Sequence, residues 1–181
     1  MAVAASLSPA THSAADVVAA LGLEPLDQEG GYFRRTAESG LFVRPEDGTE
    51  PRRAYSVIFA LFAPAAFSAM HRLNTDEVWC WHAGDVLESL RLYPDGRGER
   101  VRLGADLAAG ERLQDVIAAG AWQGTRLAPG GRWSLVTCVV APEFQWGDFE
   151  LAERDALVRD YPAWSEGITG LTRGEPAAGN R

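Results

Sequence analysis

The residues whose side chains are best suited to catalysis or ligand binding lie close together in one short stretch of the chain. The fourteen residues from His71 to Gly84 contain two histidines, two carboxylates and two indoles. If this segment is extended, Glu77, Trp79 and Trp81 share one face, because side chains alternate along a strand. A carboxylate aligned with indoles predicts one wall of a ligand pocket.

His71 is the strongest candidate for proton transfer, because imidazole titrates near neutral pH and can both accept and release protons. The alternative is a core histidine that only contacts a backbone carbonyl. His82 falls on the face opposite Glu77 and is interpreted as structural. We expect Trp79 to contact a ligand because it shares the face of Glu77, whereas the other large aromatic residues are typical of a core.

A second pair of candidates precedes this cluster. Tyr32 and Arg34 share a face if residues 32–36 form a strand, and a phenol beside a guanidinium suits a hydroxylated, anionic ligand. The alternative is a solvated surface strand. No phosphate loop or dinucleotide fingerprint is present, so we expect no nucleotide cofactor.

The elements that must position these residues are short strands. Apolar runs separated by Gly, Pro and Asp clusters predict antiparallel β-structure, in a sandwich or small barrel. The strands are predicted at residues 32–36, 54–62, 66–72, 77–83, 86–93, 99–103, 115–117, 122–127 and 133–140. Helical spacing predicts one short helix from about Asp16 to Leu21 and a second between Leu151 and Tyr161.

Composition limits the function classes. With 181 residues, 46% of them hydrophobic, the chain predicts a single domain over residues 15–173, between mobile tails at 1–14 and 174–181. The net charge of −8 argues against nucleic-acid or anionic-membrane partners. No signal peptide or run of about 18 apolar residues is apparent, so we expect a cytoplasmic protein.

Two motifs resemble those of the cupin superfamily. The first motif is kept at three positions, namely His71, Glu77 and Gly84. The second keeps Gly120 and has Gln123 where its histidine usually stands, and Leu73 replaces the second histidine of the first motif. Two of the four usual metal ligands are therefore substituted.

The chain more specifically resembles the cupin subfamily DUF985, or Cupin_5, over roughly residues 16–173. Separated segments in the same order carry the resemblance: Glu29-Gly30-Gly31-Tyr32-Phe33-Arg34, residues 68–73 with Asp76-Glu77-Val78-Trp79, Gly120-Ala121-Trp122-Gln123, Ala141-Pro142-Glu143-Phe144, Tyr161-Pro162 and Leu171-Thr172-Arg173. Asp27-Gln28 departs from the usual His-Pro, and Glu143 replaces a glycine.

The resemblance implies an all-β, double-stranded β-helix, that is, a jelly-roll cupin barrel with short N- and C-terminal helices. Such proteins are commonly homodimers with a pocket at the barrel mouth. The resemblance also implies that His71, Glu77 and Gln123 meet there. They would either hold one divalent ion weakly (Fe, Ni, Mn or Zn) or work without metal, with Gln123 binding a substrate oxygen.

Cupins carry out many reactions, so the fold alone does not select one. The leading hypothesis is an enzyme, an epimerase, isomerase, lyase or cyclase, that transfers a proton on a sugar-like or carboxylate-bearing small molecule, with His71 and Glu77 as catalytic residues. A non-catalytic metabolite-binding protein is the alternative, motivated by Leu73. A metal-dependent dioxygenase is a third hypothesis.

Overall fold

The computed structural model describes residues 6–26, 30–44, 50–64 and 66–173. Its strands are β1 (Glu24–Pro25), β2 (Tyr32–Glu38), β3 (Phe42–Val43), β4 (Arg52–Arg53), β5 (Ser56–Phe62), β6 (Ser68–Leu73), β7 (Asp76–Gly84), β8 (Leu87–Leu92), β9 (Gly98–Leu103), β10 (Gln114–Ile117), β11 (Trp122–Leu127), β12 (Ser134–Ala141) and β13 (Phe149–Leu151). The helices are α1 (Ala14–Leu21), α2 (Arg154–Asp160) and α3 (Ser165–Gly170). Short 3-10 helices span Leu107–Ala109, Trp146–Asp148 and Pro162–Trp164.

Two antiparallel sheets form a jelly-roll barrel. The first sheet has the strand order β1-β2-β5-β12-β7-β10, and the second has the order β13-β6-β11-β8-β9. Their inner faces share one apolar core, in which Phe62, Trp79 and Val136 of the first sheet pack with Leu87 and Leu103 of the second. The predicted double-stranded β-helix is confirmed.

The helices cover the outer faces of the two sheets. Helix α1 begins with a capping box between Ser13 and Asp16 and buries Val17 against the first sheet. Helices α2 and α3 bury Leu157 and Ile168 against Leu90 on the outer face of the second sheet. As a result, β8 is buried on both of its faces.

The central strands agree with the sequence expectation to within a few residues, but four short strands were not predicted. Strands β1, β3 and β4 have two residues each and β13 has three, too few for a periodic pattern to stand out. Leu151 was predicted in the closing helix and instead ends β13, because its backbone pairs with His71 of β6. The closing helix begins only after Glu153, whose carboxylate accepts from the amides of Asp155 and Ala156.

One row of side chains on the outer face of the first sheet is only partly covered by the described residues. Cross-strand pairing places five aliphatic residues in register, in the order Val116, Val78, Val139, Val57 and Ala37. We call these five residues the valine row. Its members are partly buried or exposed, and Val116 reaches 59% exposure.

The predicted tails lie partly outside the described residues. Within the N-terminal segment, the indole of Trp133 donates to the carbonyl of His12 at 2.8 Å, and Arg132 donates to the carbonyl of Pro9. None of the helices in the described ranges has the length and apolar character needed to cross a bilayer.

Candidate functional site

A cavity of about 350 Å³ opens into the barrel between the two sheets. Both of the predicted catalytic residues, His71 and Glu77, line it. Most of the remaining wall is apolar, with contributions that include Phe33, Ile58, Leu73, Val140, Phe144 and Trp146. The volume lies at the low end of the range for small-molecule sites, roughly 300–1,000 Å³.

The polar end of the cavity depends on the register of the second sheet. Gln123 of β11 pairs directly with His71 of β6 on one side and with Arg91 of β8 on the other. Directly opposed side chains in antiparallel strands lie about 5 Å apart, so the three form one row across the sheet. Each of these side chains is only 1% exposed.

Glu77 reaches this row from the opposite sheet. The Nε2 group of Gln123 donates a hydrogen bond to Oε2 of Glu77 at 2.7 Å, with both residues buried. The amide orientation follows from chemistry, because a carboxylate can only accept. The structure therefore brings His71, Glu77 and Gln123 together, as the sequence analysis predicted.

His71 is held in one tautomer. Its Nδ1 donates to the carbonyl of Ala69 at 2.7 Å, so the neutral ring carries its lone pair on Nε2. The ring stacks on Phe149 with centroids 5.1 Å apart. Burial lowers the pKa of His71, and the nearby charge of Glu77 opposes that shift only in part. The imidazole is therefore neutral at neutral pH and available as a base.

Arg91 is a buried cation that the sequence analysis did not identify. Its Nη2 approaches Oδ2 of Asp115 at 3.4 Å, its guanidinium lies 5.9 Å from the Trp79 ring centroid, and its Nε and Nη1 have no hydrogen-bond partner among the described residues. Alternation with Leu90 and Leu92 suggests that Arg91 is exposed. It is buried because those leucines pack under α2 and α3 while the alternate face lines the barrel.

The donor atoms suit a divalent cation only incompletely. His71 Nε2 and a Glu77 oxygen are ordinary ligands, and Oε1 of Gln123 is a buried acceptor without a hydrogen-bond partner in the described part of the chain. Leu73 lines the cavity and supplies no ligand. No group of three or more His, Cys, Asp or Glu side chains within the described ranges is arranged to hold a metal.

The structure places Tyr32 and Arg34 on the outer face of β2, away from the cavity that they were predicted to line. Tyr32 packs in the apolar cluster beneath α1, and Arg34 is exposed and donates to the carbonyl of Leu21 at 2.7 Å. The alternate residues, Phe33 and Arg35, line the cavity. The error arose because the outer face of this strand is also apolar where α1 covers it, so the pattern does not reveal which face turns inward.

Trp79 lies on the inner face with Glu77, as predicted, but not at the cavity surface. It is 3% exposed and stacks on Phe62 with centroids 5.7 Å apart. It therefore acts from beneath the site, where it packs on Phe62 and contacts the Arg91 guanidinium. The sequence analysis also missed Cys138, which lines the cavity from β12, and Trp146, which was expected in the core but is 51% exposed.

The mouth of the cavity is formed by the segment from Pro142 to Asp148, which we call the mouth segment. Three of its residues line the cavity: Phe144, Gln145 and Trp146. The rings of Phe144 and Trp146 meet edge to face at 5.0 Å, and Trp146 contacts Phe149 in the same way at 5.4 Å. Arg52 anchors the segment by donating to the Glu143 carbonyl and to Asp148 Oδ2, the latter at 2.5 Å.

Comparison with known proteins identifies the family. The family model Cupin_5, described as cupin superfamily (DUF985), matches residues 15–152. Among curated proteins, none matches the chain significantly.

Solved structures share both sequence and fold with this chain. A hypothetical protein from Leishmania major is 34% identical over 90% of this chain and 100% of its own, with a TM-score of 0.82. A protein from Shewanella oneidensis is 36% identical over 91% of this chain and 99% of its own, with a TM-score of 0.81. An oxalate decarboxylase structure shares only the fold, at 11% identity over 86% of this chain and 39% of its own, with a TM-score of 0.51.

Proposed function

This chain belongs to the Cupin_5 (DUF985) family of the cupin superfamily, and we propose that it is an enzyme that transfers a proton on a small oxygenated substrate in the barrel cavity. The reaction class is that of an isomerase, epimerase, lyase or cyclase. The observation that carries the proposal is the buried connection from Glu77 through Gln123 to the row that contains His71.

In this proposal His71 is the proton carrier. Its Nε2 carries no proton and can accept one, because the proton of the neutral ring lies on Nδ1 and is donated to the Ala69 carbonyl. Removal of a proton from carbon beside a carbonyl creates an imidazolium and an oxyanion. The charge of Glu77 stabilises the imidazolium, and Gln123 holds that carboxylate in place.

The oxyanion needs a donor at the cavity wall. Ser56 lines the cavity, and its Oγ accepts from the amide of Phe144 at 3.0 Å, which leaves the hydroxyl proton to donate to substrate. A divalent ion, when bound, would supply Lewis-acid stabilisation of the same charge. His71, Glu77 and Gln123 would hold it, weakly, because only one of the three donors is charged.

Hydrogen–deuterium exchange in substrate tests the proton transfer directly. We expect the protein in D₂O to catalyse deuterium incorporation beside the carbonyl of at least one compound from a panel of small oxo acids, hydroxy acids and ketoses, followed by proton NMR. His71→Ala should reduce that rate by roughly 10²-fold or more. His82→Ala is the matched control, because His82 is exposed on the opposite face of β7, where it hydrogen-bonds to Thr137 and contacts the Phe59 ring.

Exchange that persists in His71→Ala would contradict the assigned role of His71. Elemental analysis of the same preparations, with Glu77→Ala added, separates the two versions of the mechanism. Stoichiometric metal that disappears in both variants supports the metal-assisted version. Metal-free protein that still catalyses exchange supports the version that uses His71 alone.

A non-catalytic binding protein is the second candidate function, and Leu73 favours it. This side chain lines the cavity at a place where a metal-binding cupin would have a histidine, so the site has lost a ligand and gained apolar surface. Multiple turnovers with any metabolite would eliminate this candidate. The same substitution argues against a metal-dependent dioxygenase.

We also propose that the partners are a small molecule and a second copy of the chain, without nucleic acid or membrane. The valine row supports the homodimer, because it is an uncharged apolar surface on a protein whose net charge is −8. We propose the cytoplasm as the location of the protein.

A further inference from the structure

We propose that the cavity binds small carboxylic acids with an apolar or aromatic body, in preference to sugars. The inference rests on the proposed function only in taking this cavity as the site. It selects one of the two substrate classes, sugar-like and carboxylate-bearing, that the sequence leaves open.

The apolar part of the cavity excludes most polyhydroxylated ligands. Among the described residues, thirteen line the cavity, and eight of them have hydrocarbon, aromatic or thiol side chains. The other five of these residues are polar, namely Arg35, Ser56, His71, Glu77 and Gln145. A sugar bound here would bury hydroxyl groups without partners, and each unpaired hydroxyl weakens binding.

The aromatic residues of the mouth suit a planar or branched apolar body. Phe33 approaches from β2, whereas Phe144 and Trp146 approach from the mouth segment. Trp146 is half exposed although its ring contacts two phenylalanine rings, so it has apolar surface to offer to a ligand. A ligand that covers this surface gains affinity from the area removed from water.

Arg35 supplies the recognition of a carboxylate. Of the described residues that line the cavity, Arg35 alone carries a positive charge at neutral pH. Its Nη1 donates to Oε1 of Glu38 at 2.6 Å, which fixes the guanidinium and leaves the edge formed by Nε and Nη2 for a ligand. Glu38 also approaches Arg53 at 3.4 Å, so its charge is shared between two guanidinium groups.

The two walls of the cavity therefore have different proposed roles. Arg35 lies on β2 of the first sheet, beyond the part that pairs with β1, whereas His71 lies on β6 of the second sheet, between Leu151 and Gln123. A carboxylate at Arg35 and an apolar body against Phe33 and Trp146 would direct the rest of the molecule toward His71. This order of groups fits an acid whose reactive carbon is a few bonds from its carboxylate.

Binding of unreactive probes tests this inference separately from catalysis. We would measure by calorimetry the affinities of 3-phenylpropanoate, its neutral amide 3-phenylpropanamide, and gluconate. The acid should bind roughly tenfold or more tightly than the amide, the difference expected for one charge-assisted contact. Gluconate should bind more weakly than both, because its hydroxyl groups find few partners.

Two variants on the same strand provide the matched comparison. Arg35→Met should reduce the affinity for the acid to that for the amide and leave the amide unchanged. Arg34→Met should change neither affinity, since Arg34 lies on the other face of β2. Thermal melts of both variants confirm that the fold is kept.

Three results would overturn the inference. They are tighter binding of gluconate than of 3-phenylpropanoate, an unchanged preference for the acid in Arg35→Met, and no binding of any probe at millimolar concentration. Binding of the acid as expected, together with no proton exchange on any compound, supports the ligand class and contradicts only the proposed catalysis.

Discussion

His71 shows how burial and one hydrogen bond prepare a residue for chemistry. The Ala69 carbonyl orients the ring, Phe149 packs against its face, and exclusion of water lowers its pKa. A neutral imidazole in the folded protein also affects stability. The free energy of unfolding must depend on pH wherever the folded and unfolded chains bind different numbers of protons.

We predict that the protein loses stability as the pH falls below about 6.5, the ordinary pKa of an unfolded histidine. Because the folded pKa of His71 is lowered, the unfolded chain binds the additional proton between the two values. The contribution of neutral His71 to the free energy of unfolding is complete above about pH 6.5. It decreases by up to about 1.4 kcal/mol per pH unit as the pH falls to the folded pKa. Urea unfolding from about pH 5 to about pH 7.5 measures this slope.

His71→Gln should flatten that slope, whereas His82→Gln should change it much less, since His82 is exposed. An identical slope in the wild type and in His71→Gln would show that burial of His71 does not determine the pH dependence.

At the scale of single residues, the sequence could predict the positions of the proposed catalytic residues better than that of the proposed carboxylate-binding residue. His71, Glu77 and Gln123 occupy spaced motif positions, and the register of β6 and β11 brings them together. Arg35 and Arg91 belong to no such motif. Their positions depend on which face of a strand turns inward, and outer faces covered by helices have the same apolar pattern as inner ones.

The mouth segment is the element that completes the cavity. It follows β12 and contributes aromatic side chains that no strand provides. Its position depends on Arg52, which binds both ends of the segment, at the Glu143 carbonyl and at Asp148. The side chains of Arg52 and Asp148 are 11% and 18% exposed, so the ion pair is largely shielded from water.

We predict that Arg52→Met destabilises the fold by about 2 kcal/mol, because it leaves Asp148 and the Glu143 carbonyl without their partner. Ligand affinity should fall as well, since Phe144 and Trp146 lose their fixed position. Chemical unfolding and the calorimetric assay give the two values. Arg97→Met is the control, because Arg97 pairs with Asp95 at the surface and should leave both values unchanged.

Retained affinity for 3-phenylpropanoate in Arg52→Met would mean that the mouth segment does not need this anchor. Strand β13, like β1, β3 and β4, was not predicted from the sequence. The nine longer strands have enough residues to display alternation, whereas Phe149–Leu151 is set by tertiary pairing with β6.

At the scale of the whole molecule, the valine row is only partly covered by the described residues of one chain. Five strands contribute to it, so it extends roughly 20 Å across the sheet at the usual strand spacing. An isologous dimer would place the same row of each copy against the other. Such a contact removes exposed aliphatic surface without burying a charge.

We predict that Val139→Lys, in the middle of the row, converts a dimer to a monomer, because it would bring like charges together in an apolar interface. Analytical ultracentrifugation measures the change in mass. Thr169→Lys adds the same charge on the exposed surface of α3 and should leave the dimer intact. A wild-type protein that sediments as a monomer contradicts the proposal.

The placement of Arg35 in the part of β2 that β1 does not pair has a further consequence for how the cavity responds to ligands. Among the described residues, only β1 pairs with the outer side of β2, and only at Tyr32 and Phe33. Backbone amides in such a strand open readily, whereas those around His71 and Gln123 lie in the middle of a sheet. Hydrogen–deuterium exchange of the backbone should therefore slow in β2 when a ligand binds, and change little in β6 and β11. With the roles proposed for Arg35 and His71, the wall that recognises a ligand can adapt its shape while the reactive wall stays rigid, so substrate preference can change without disturbing the proton carrier.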